Sequence, residues 1–83
     1  MTGAGLLDVC GIPDESWISF CNGYVQAAFD AYQKDGLFIC IPPGTTRATM
    51  AGAVYAGLAA SPELSGLRGT DAAARVLNAL YPC

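Results

Sequence analysis

The chain has 83 residues, which is the length of one small domain. Apolar residues make up 53% of it and charged residues 13%, so a compact core is expected and intrinsic disorder is excluded. The net charge is −3 and the basic residues are scattered, which argues against nucleic-acid binding. A charge of this sign suits a basic protein partner, and the alternative is that it serves only solubility. The basic residues are Lys34, Arg47, Arg68 and Arg75.

Four cysteines are spread along the whole chain: Cys10, Cys21, Cys40 and Cys83. Zinc sites use closely spaced cysteine pairs, often with histidine, and this chain has neither, so no metal site is predicted. Because so short a chain buries only about 60 to 65% of its unfolded surface, two disulfides are the predicted extra source of stability. They indicate an oxidising compartment, for which we predict the periplasm. The alternative is four buried free thiols in a cytosolic helical protein.

The first residues, MTGAGLLDVCG, lack the basic start and the long apolar stretch of an export signal or a membrane span. If the predicted compartment is right, an export signal is expected ahead of Met1 in the natural gene.

A first long helix is predicted to begin at PDESW, where Pro13 suits the first turn and Asp14 and Glu15 suit the helix dipole. It should end near Lys34 and Gly36. Apolar residues at spacings of three and four predict one inward stripe. The members of that stripe are Trp17, Phe20, Cys21, Tyr24, Ala27, Ala28 and Ala31. The aromatic residues Trp17, Phe20, Tyr24, Phe29 and Tyr32 are predicted to be core rather than a ligand groove.

The segment LFICIPPG follows, and its two prolines favour an extended, buried strap. A second helix is predicted from an N-cap at Thr45 or Thr46 to about Ala60. Its large apolar residues are Met50, Val54, Tyr55 and Leu58.

The stretch SPELSGLRG is predicted to be a loop, with a short helical turn capped by Ser61 with Pro62 at its first position. A last helix should begin at Thr70 and Asp71 and end at Pro82. Its predicted inner face is Ala73, Val76, Leu77 and Leu80. The predicted fold is therefore an all-α bundle of three main helices plus short turns, cross-linked by two disulfides. It is predicted to be a single domain over residues 1–83, with an ordered core from about residue 10.

The residues offer little for catalysis. The chain has no histidine, which removes Ser-His and Cys-His nucleophiles. Asp14 and Glu15 are adjacent, so they point in different directions on a helix and make a poor acid-base pair. We predict no enzymatic activity and no cofactor.

Four cysteines allow three disulfide connectivities. The strap that carries Cys40 can run back along the first long helix nearly as far as Cys21, which lies about 20 Å from the helix end. This geometry favours a Cys21–Cys40 bridge and leaves Cys10 for Cys83.

Three motifs occur in order along most of the chain: FCNGYVQAAFDA, then CIPPGTT, then a terminal ALYPC. Together they resemble the Rap/Tai family of immunity proteins. The resemblance implies a small periplasmic helical protein that neutralises a peptidoglycan amidase effector delivered by a type VI secretion system. It further implies a mechanism in which a protruding loop occludes the amidase active site.

The loop Ser61–Gly69 is the predicted partner-binding element because it is polar, carries glycines and lacks cysteines. Its candidate contact residues are Ser61, Glu63, Ser65, Gly66 and Arg68. The segment PPGTTR is the second candidate, and an ordinary solvated connection between helices is the alternative. The expected partners are the amidase effector and a second copy of the chain in a homodimer.

Two other functions are compatible with the composition. One is a periplasmic stress chaperone resembling the HdeA type, which is also small, helical and disulfide-bonded. The other is a cell-envelope domain that uses the same scaffold to bind a different protein.

Overall fold

The computed structural model describes residues 1–34 and 39–83. In these ranges the chain forms four α-helices and one short 3₁₀ helix. The α-helices are α1 (Gly3–Cys10), α2 (Glu15–Lys34), α3 (Arg47–Ala60) and α4 (Gly69–Leu80), and the 3₁₀ helix is Pro62–Leu64. The predicted all-α class is confirmed.

Helix α2 begins where the sequence predicted. The Asp14 carboxylate accepts a hydrogen bond from the Ser16 backbone N–H at 2.9 Å, and the Asp14 carbonyl accepts the first helical bond from Ile18 at 2.8 Å. This is N-capping by an aspartate immediately ahead of the first turn. The helix extends to Lys34, and the predicted end signal at Gly36 lies outside the described residues.

The predicted inward stripe of α2 divides in two. Cys21 and Ala28 are buried as predicted, and so is Val25, which the stripe did not include. Trp17 and Phe20 are each 41% exposed, so the prediction that these two rings belong to the core is wrong. Ala27 and Ala31 were also predicted to face inward and are exposed. Helices that meet through alanines approach closely and leave room only for small side chains between them. Three consecutive alanines of α4, residues 72–74, are buried in the core. The Trp17 and Phe20 rings lie outside the core, at the protein surface.

The remaining aromatic residues of α2 lie closer to the core. Tyr24 and Phe29 are partly buried and pack against it. Tyr32 is half-buried and lines a depression between α2 and α4.

Helix α3 begins at the predicted cap, since the Thr46 hydroxyl accepts a hydrogen bond from the Thr49 backbone N–H at 3.1 Å. Three of its four predicted core residues, Met50, Val54 and Leu58, are buried, whereas Tyr55 is 41% exposed. The Tyr55 ring lies against Gly11 at the edge of the depression between α2 and α3, so only part of the ring is covered.

Helix α4 buries the predicted Ala73, Val76 and Leu77, but Leu80 is 52% exposed and its assignment to the inner face is wrong. Leu80 is the last residue of the helix. Its side chain extends past the layer of helices that covers Leu77.

Helix α1 was not predicted from the sequence. The Thr2 hydroxyl caps it by accepting a hydrogen bond from the Gly5 backbone N–H at 3.2 Å, and Leu6 is fully buried. The packed structure therefore begins several residues before Cys10.

All four helices contribute to one core. Its buried members are Leu6, Cys21, Val25, Ala28, Ile39, Met50, Ala51, Val54, Leu58, Ala72, Ala73, Val76 and Leu77. Most of these side chains are small or aliphatic, which allows the helices to pack closely around a short chain.

All four cysteines form disulfides, but the predicted pairing of Cys21 with Cys40 and of Cys10 with Cys83 is wrong. The bridges are Cys10–Cys21 and Cys40–Cys83, with Cα atoms 5.3 and 5.1 Å apart. The first joins the end of α1 to the second turn of α2. The second joins the segment before α3 to the C-terminal residue.

The strap does not run back along α2 as the pairing argument assumed. The Gln33 side-chain amide donates a hydrogen bond to the Ile39 carbonyl at 2.8 Å, which keeps Ile39 at the C-terminal end of α2. The Cys40 backbone N–H donates to the Tyr81 carbonyl at 2.8 Å, and Ile39 forms an isolated bridge with Pro82. Residue 40 therefore lies beside the chain end. Ile39 is buried, as the strap prediction requires, and residues 37 and 38 lie outside the described residues.

Two glycines of α3 offer a direct test of this packing. Gly52→Ala is expected to raise the free energy of unfolding by about 0.5 to 1 kcal/mol, because glycine weakens a helix interior and an added Cβ meets no described atom within 4 Å. Gly57→Ala is expected to lower it by about 1 to 2 kcal/mol, because the new methyl group would collide with the Val76 side chain. Urea denaturation measures both. Equal effects of the two substitutions would contradict the α3–α4 contact.

Candidate partner-binding surface

The loop Ser61–Gly69 is held firmly against the N-terminal segment. The Gly3 N–H donates to the Leu67 carbonyl at 2.8 Å, and the Ala4 N–H donates to the Ser65 carbonyl at 3.1 Å. In the opposite direction, the Gly69 N–H donates to the Met1 carbonyl at 2.8 Å. Three backbone hydrogen bonds across the loop preorganise it, so little conformational entropy would be lost when it binds a partner.

The predicted contact residues of this loop differ in accessibility. Glu63, Gly66 and Arg68 are exposed, whereas Ser61 and Ser65 are only partly exposed. The backbone carbonyls of both serines already accept hydrogen bonds, from Leu64 N–H in the first case and Ala4 N–H in the second. Three of the five predicted contact residues are therefore exposed to solvent on this loop, and the two serines are partly covered.

Apolar side chains attach the inner side of this loop to the core. Leu64 and Leu67 are partly buried and pack against the core. They alternate with the exposed residues, so the inner side of the loop is fixed while its outer side faces solvent. This arrangement presents Glu63 and Arg68 on a rigid support.

The second candidate, PPGTTR, is a tight turn whose polar groups are largely occupied. The Pro42 carbonyl accepts hydrogen bonds from the Thr45 N–H at 3.2 Å and the Thr45 hydroxyl at 2.7 Å. Gly44 has a φ of 89°, in the region that favours glycine. The Thr46 hydroxyl caps α3. Arg47 is exposed at the end of this turn.

An exposed group of rings on α2 was missed by the sequence argument. We call Trp17, Phe20 and Tyr24 the aromatic strip. The ring centroids of Trp17 and Phe20 lie 5.8 Å apart in an edge-to-face arrangement, and those of Phe20 and Tyr24 are also 5.8 Å apart. Helical spacing alone cannot show which part of a wide apolar stripe is covered. The polar Ser16 and Ser19 beside the first two rings were the available signal.

Two depressions lie between helices. The one between α2 and α4 has a volume of about 400 Å³ and is lined by Tyr32, Asp71, Ala74, Arg75 and Asn78. The other, about 200 Å³, lies between α2 and α3 beside the Cys10–Cys21 bridge. Both are open to solvent. Within residues 1–34 and 39–83 no group of three or more potential ligands is placed to hold a metal ion.

None of the helices in the described part of the chain is both long enough and apolar enough to cross a membrane. The two disulfides are consistent with an extracytoplasmic protein.

Comparison with known proteins agrees with the motif resemblance. The model of the Rap1a immunity proteins matches residues 2–83, which is essentially the whole chain. No curated protein and no solved structure is significantly similar to it. The matched region includes all four helices, both disulfides and the loop Ser61–Gly69. The chain therefore belongs to the Rap1a immunity protein family.

Proposed function

We propose that this immunity protein neutralises a peptidoglycan amidase effector of a type VI secretion system in the periplasm. The family supports a role against a toxin and an inhibitor rather than an enzyme. The observation that carries the proposal is the match over residues 2–83. Two disulfides support an oxidising compartment, because such bridges are rare in the cytosol. The HdeA-type chaperone receives no support from the family match.

The proposed mechanism is occlusion of the amidase cleft by the loop Ser61–Gly69. The loop is rigid, and its exposed Glu63 and Arg68 carry opposite charges that can orient it in the cleft. Inhibition then requires no chemistry from this chain, because a preorganised segment that fills the cleft excludes the peptide stem.

We also propose that the inhibitor can form a homodimer. Ala48, Gly52 and Ala56 follow one another at a spacing of four on the exposed side of α3, and small residues at this spacing let two helices approach closely.

The test of the loop is inhibition of the amidase encoded beside this gene. The double variant Glu63→Lys/Arg68→Glu keeps the net charge but reverses both loop charges, and we expect its inhibition constant to rise about 100-fold. The readout is release of cleaved peptide stems from purified peptidoglycan at increasing inhibitor concentration.

Two control variants locate the effect. Asp30→Lys changes an exposed charge on α2 and should leave inhibition within about threefold of the unsubstituted chain, as for most surface contacts outside an interface. Arg47→Glu tests the PPGTTR turn. If Arg47→Glu abolishes inhibition and the loop variant does not, PPGTTR is the inserted segment. If the unsubstituted chain fails to inhibit the amidase, the proposed function is wrong.

A further inference from the structure

The aromatic strip exposes two large rings, Trp17 and Phe20, whereas its third ring, Tyr24, is partly buried and packs against the core. Trp17 and Phe20 are each 41% exposed, although their rings are among the largest in the chain. Tyr24 continues the strip by one helical turn. Large aromatic side chains grouped on a surface are typical of protein-binding sites, where they contribute much of the affinity.

A disulfide holds the turn of α2 that carries the strip, and the Tyr24 end is in contact with the start of α4. Phe20 is followed directly by the buried Cys21, whose bridge to Cys10 ties this turn of α2 to α1. At the other end the Tyr24 hydroxyl lies against Gly69, where an added Cβ would come within 2.5 Å of the hydroxyl oxygen. The helix turn that carries the strip and the Tyr24 ring are therefore held in place, which reduces the entropy lost on binding.

The charges around the strip indicate what kind of surface it would meet. Helix α2 and its N-cap carry three acidic side chains, Asp14, Glu15 and Asp30, all exposed, and one basic residue, Lys34, at the end of the helix far from Trp17. Asp14 and Glu15 lie within three positions of Trp17, so both charges are at the Trp17 end of the strip, although the two side chains point in different directions. One basic residue, Arg68, lies at the Tyr24 end, next to Gly69. The two carboxylates at the Trp17 end suit lysine or arginine side chains, which can stack on the exposed rings and pair with the carboxylates.

A second copy of this chain fits the strip less well than a basic partner does. In a dimer formed through the strip, the Asp14 and Glu15 carboxylates of the two copies would repel each other, whereas the lysine and arginine side chains of a basic partner would be attracted to them.

We propose that the aromatic strip is a second docking surface for the toxin and that it binds a patch of lysine and arginine side chains outside the active-site cleft. The identity of the partner rests on the proposed function, whereas the surface and the chemistry that it selects rest on the geometry and charge of α2. In this arrangement the loop Ser61–Gly69 blocks the cleft and the strip supplies additional affinity.

The double variant Trp17→Ala/Phe20→Ala tests the strip in the purified full chain. We expect its affinity for the amidase to fall about 30-fold or more, as for aromatic residues at the centre of an interface. Inhibition at saturating concentration should stay complete, because the loop is unchanged. Ile18→Ala is the matched control: Ile18 is 47% exposed on the same helix but lines the groove toward α3, and its loss should change affinity less than threefold.

Two further measurements separate the roles of rings and charges. Trp17 is the only tryptophan, so labelling this chain with 5-fluorotryptophan gives one ¹⁹F resonance, which should shift when the amidase is added. The affinity of the unsubstituted chain should weaken as salt increases, and Asp14→Asn/Glu15→Gln should reduce that dependence.

The outcomes distinguish the two proposals. If the unsubstituted chain binds and inhibits but Trp17→Ala/Phe20→Ala binds equally well, the strip is not a docking surface and the loop mechanism stands. If light scattering shows a dimer that the same variant converts to a monomer, with toxin affinity unchanged, the strip is a self-association surface and the proposal is overturned. If the unsubstituted chain does not bind the amidase at all, the proposed function fails and the assignment of the strip to this toxin fails with it.

Discussion

Replacing Cys40 and Cys83 together with serine is expected to lower the free energy of unfolding by about 4 kcal/mol under oxidising conditions. The bridge closes a loop with a sequence separation of 43 residues, and in the chain-entropy model a loop of this size restricts the unfolded chain by about that amount. In a domain of this length the melting temperature should fall by about 15 to 30 °C. The effect is large because the bridge joins the segment before α3 to the end of the chain.

Thermal melts followed by circular dichroism measure this loss. Ala79→Ser is the control, since it introduces serine at an exposed position of α4 and should leave the melting temperature nearly unchanged. If the Cys40→Ser/Cys83→Ser variant has the same melting temperature as the unsubstituted protein, the Cys40–Cys83 pairing is contradicted.

Stepwise reduction gives an independent check of the same bridge. Cys40 and Cys83 are both exposed, whereas Cys21 in the other bridge is only 4% exposed. A mild thiol reductant should therefore open Cys40–Cys83 first, and alkylation with mass spectrometry should label that pair before Cys10 and Cys21.

Leu77→Ala is expected to lower the free energy of unfolding by about 2 to 5 kcal/mol, whereas Leu80→Ala should change it by less than about 0.5 kcal/mol. Both residues lie on α4 and both substitutions remove the same atoms. Leu77 is fully buried, so its loss leaves a cavity in the core, whereas Leu80 is 52% exposed at the helix end.

Urea denaturation of the two leucine variants provides the measurement, with the slope of the transition as a check on two-state behaviour. A large loss of stability in Leu80→Ala would mean that the end of α4 is covered in solution, for example by a second copy of the chain. A small loss in Leu77→Ala would contradict the described core.

The boundaries of the main helices were predictable because their signals are local. Asp14 and Thr46 cap α2 and α3 through hydrogen bonds to residues two and three positions ahead, which depend only on nearby sequence. Pro82 ends the last helix for an equally local reason. The loop Ser61–Gly69 was predictable as well, because proline, serine and glycine interrupt helices wherever they cluster.

Helix α1 also begins at a local cap, Thr2, but that cap alone did not identify the helix. Its eight residues have little amphipathic pattern, and so short a helix is not stable alone. It forms because Leu6 is buried among the other helices and because the loop Ser61–Gly69 bonds to its first turn. Without α1, the partner of Cys21 could not be identified, and the disulfide pairing was wrong.

The sequence by itself determined the all-α class, the approximate limits of the long helices, the loop that carries Glu63 and Arg68, and the family. The tertiary structure alone decided the disulfide partners and the side of α2 that is buried. Capping and periodicity act within a few residues, whereas pairing and burial depend on which distant segments come together. The exposed aromatic strip belongs to the second group: its spacing is that of a core stripe, and only the close packing of small residues between α2 and α4 leaves Trp17 and Phe20 at the surface.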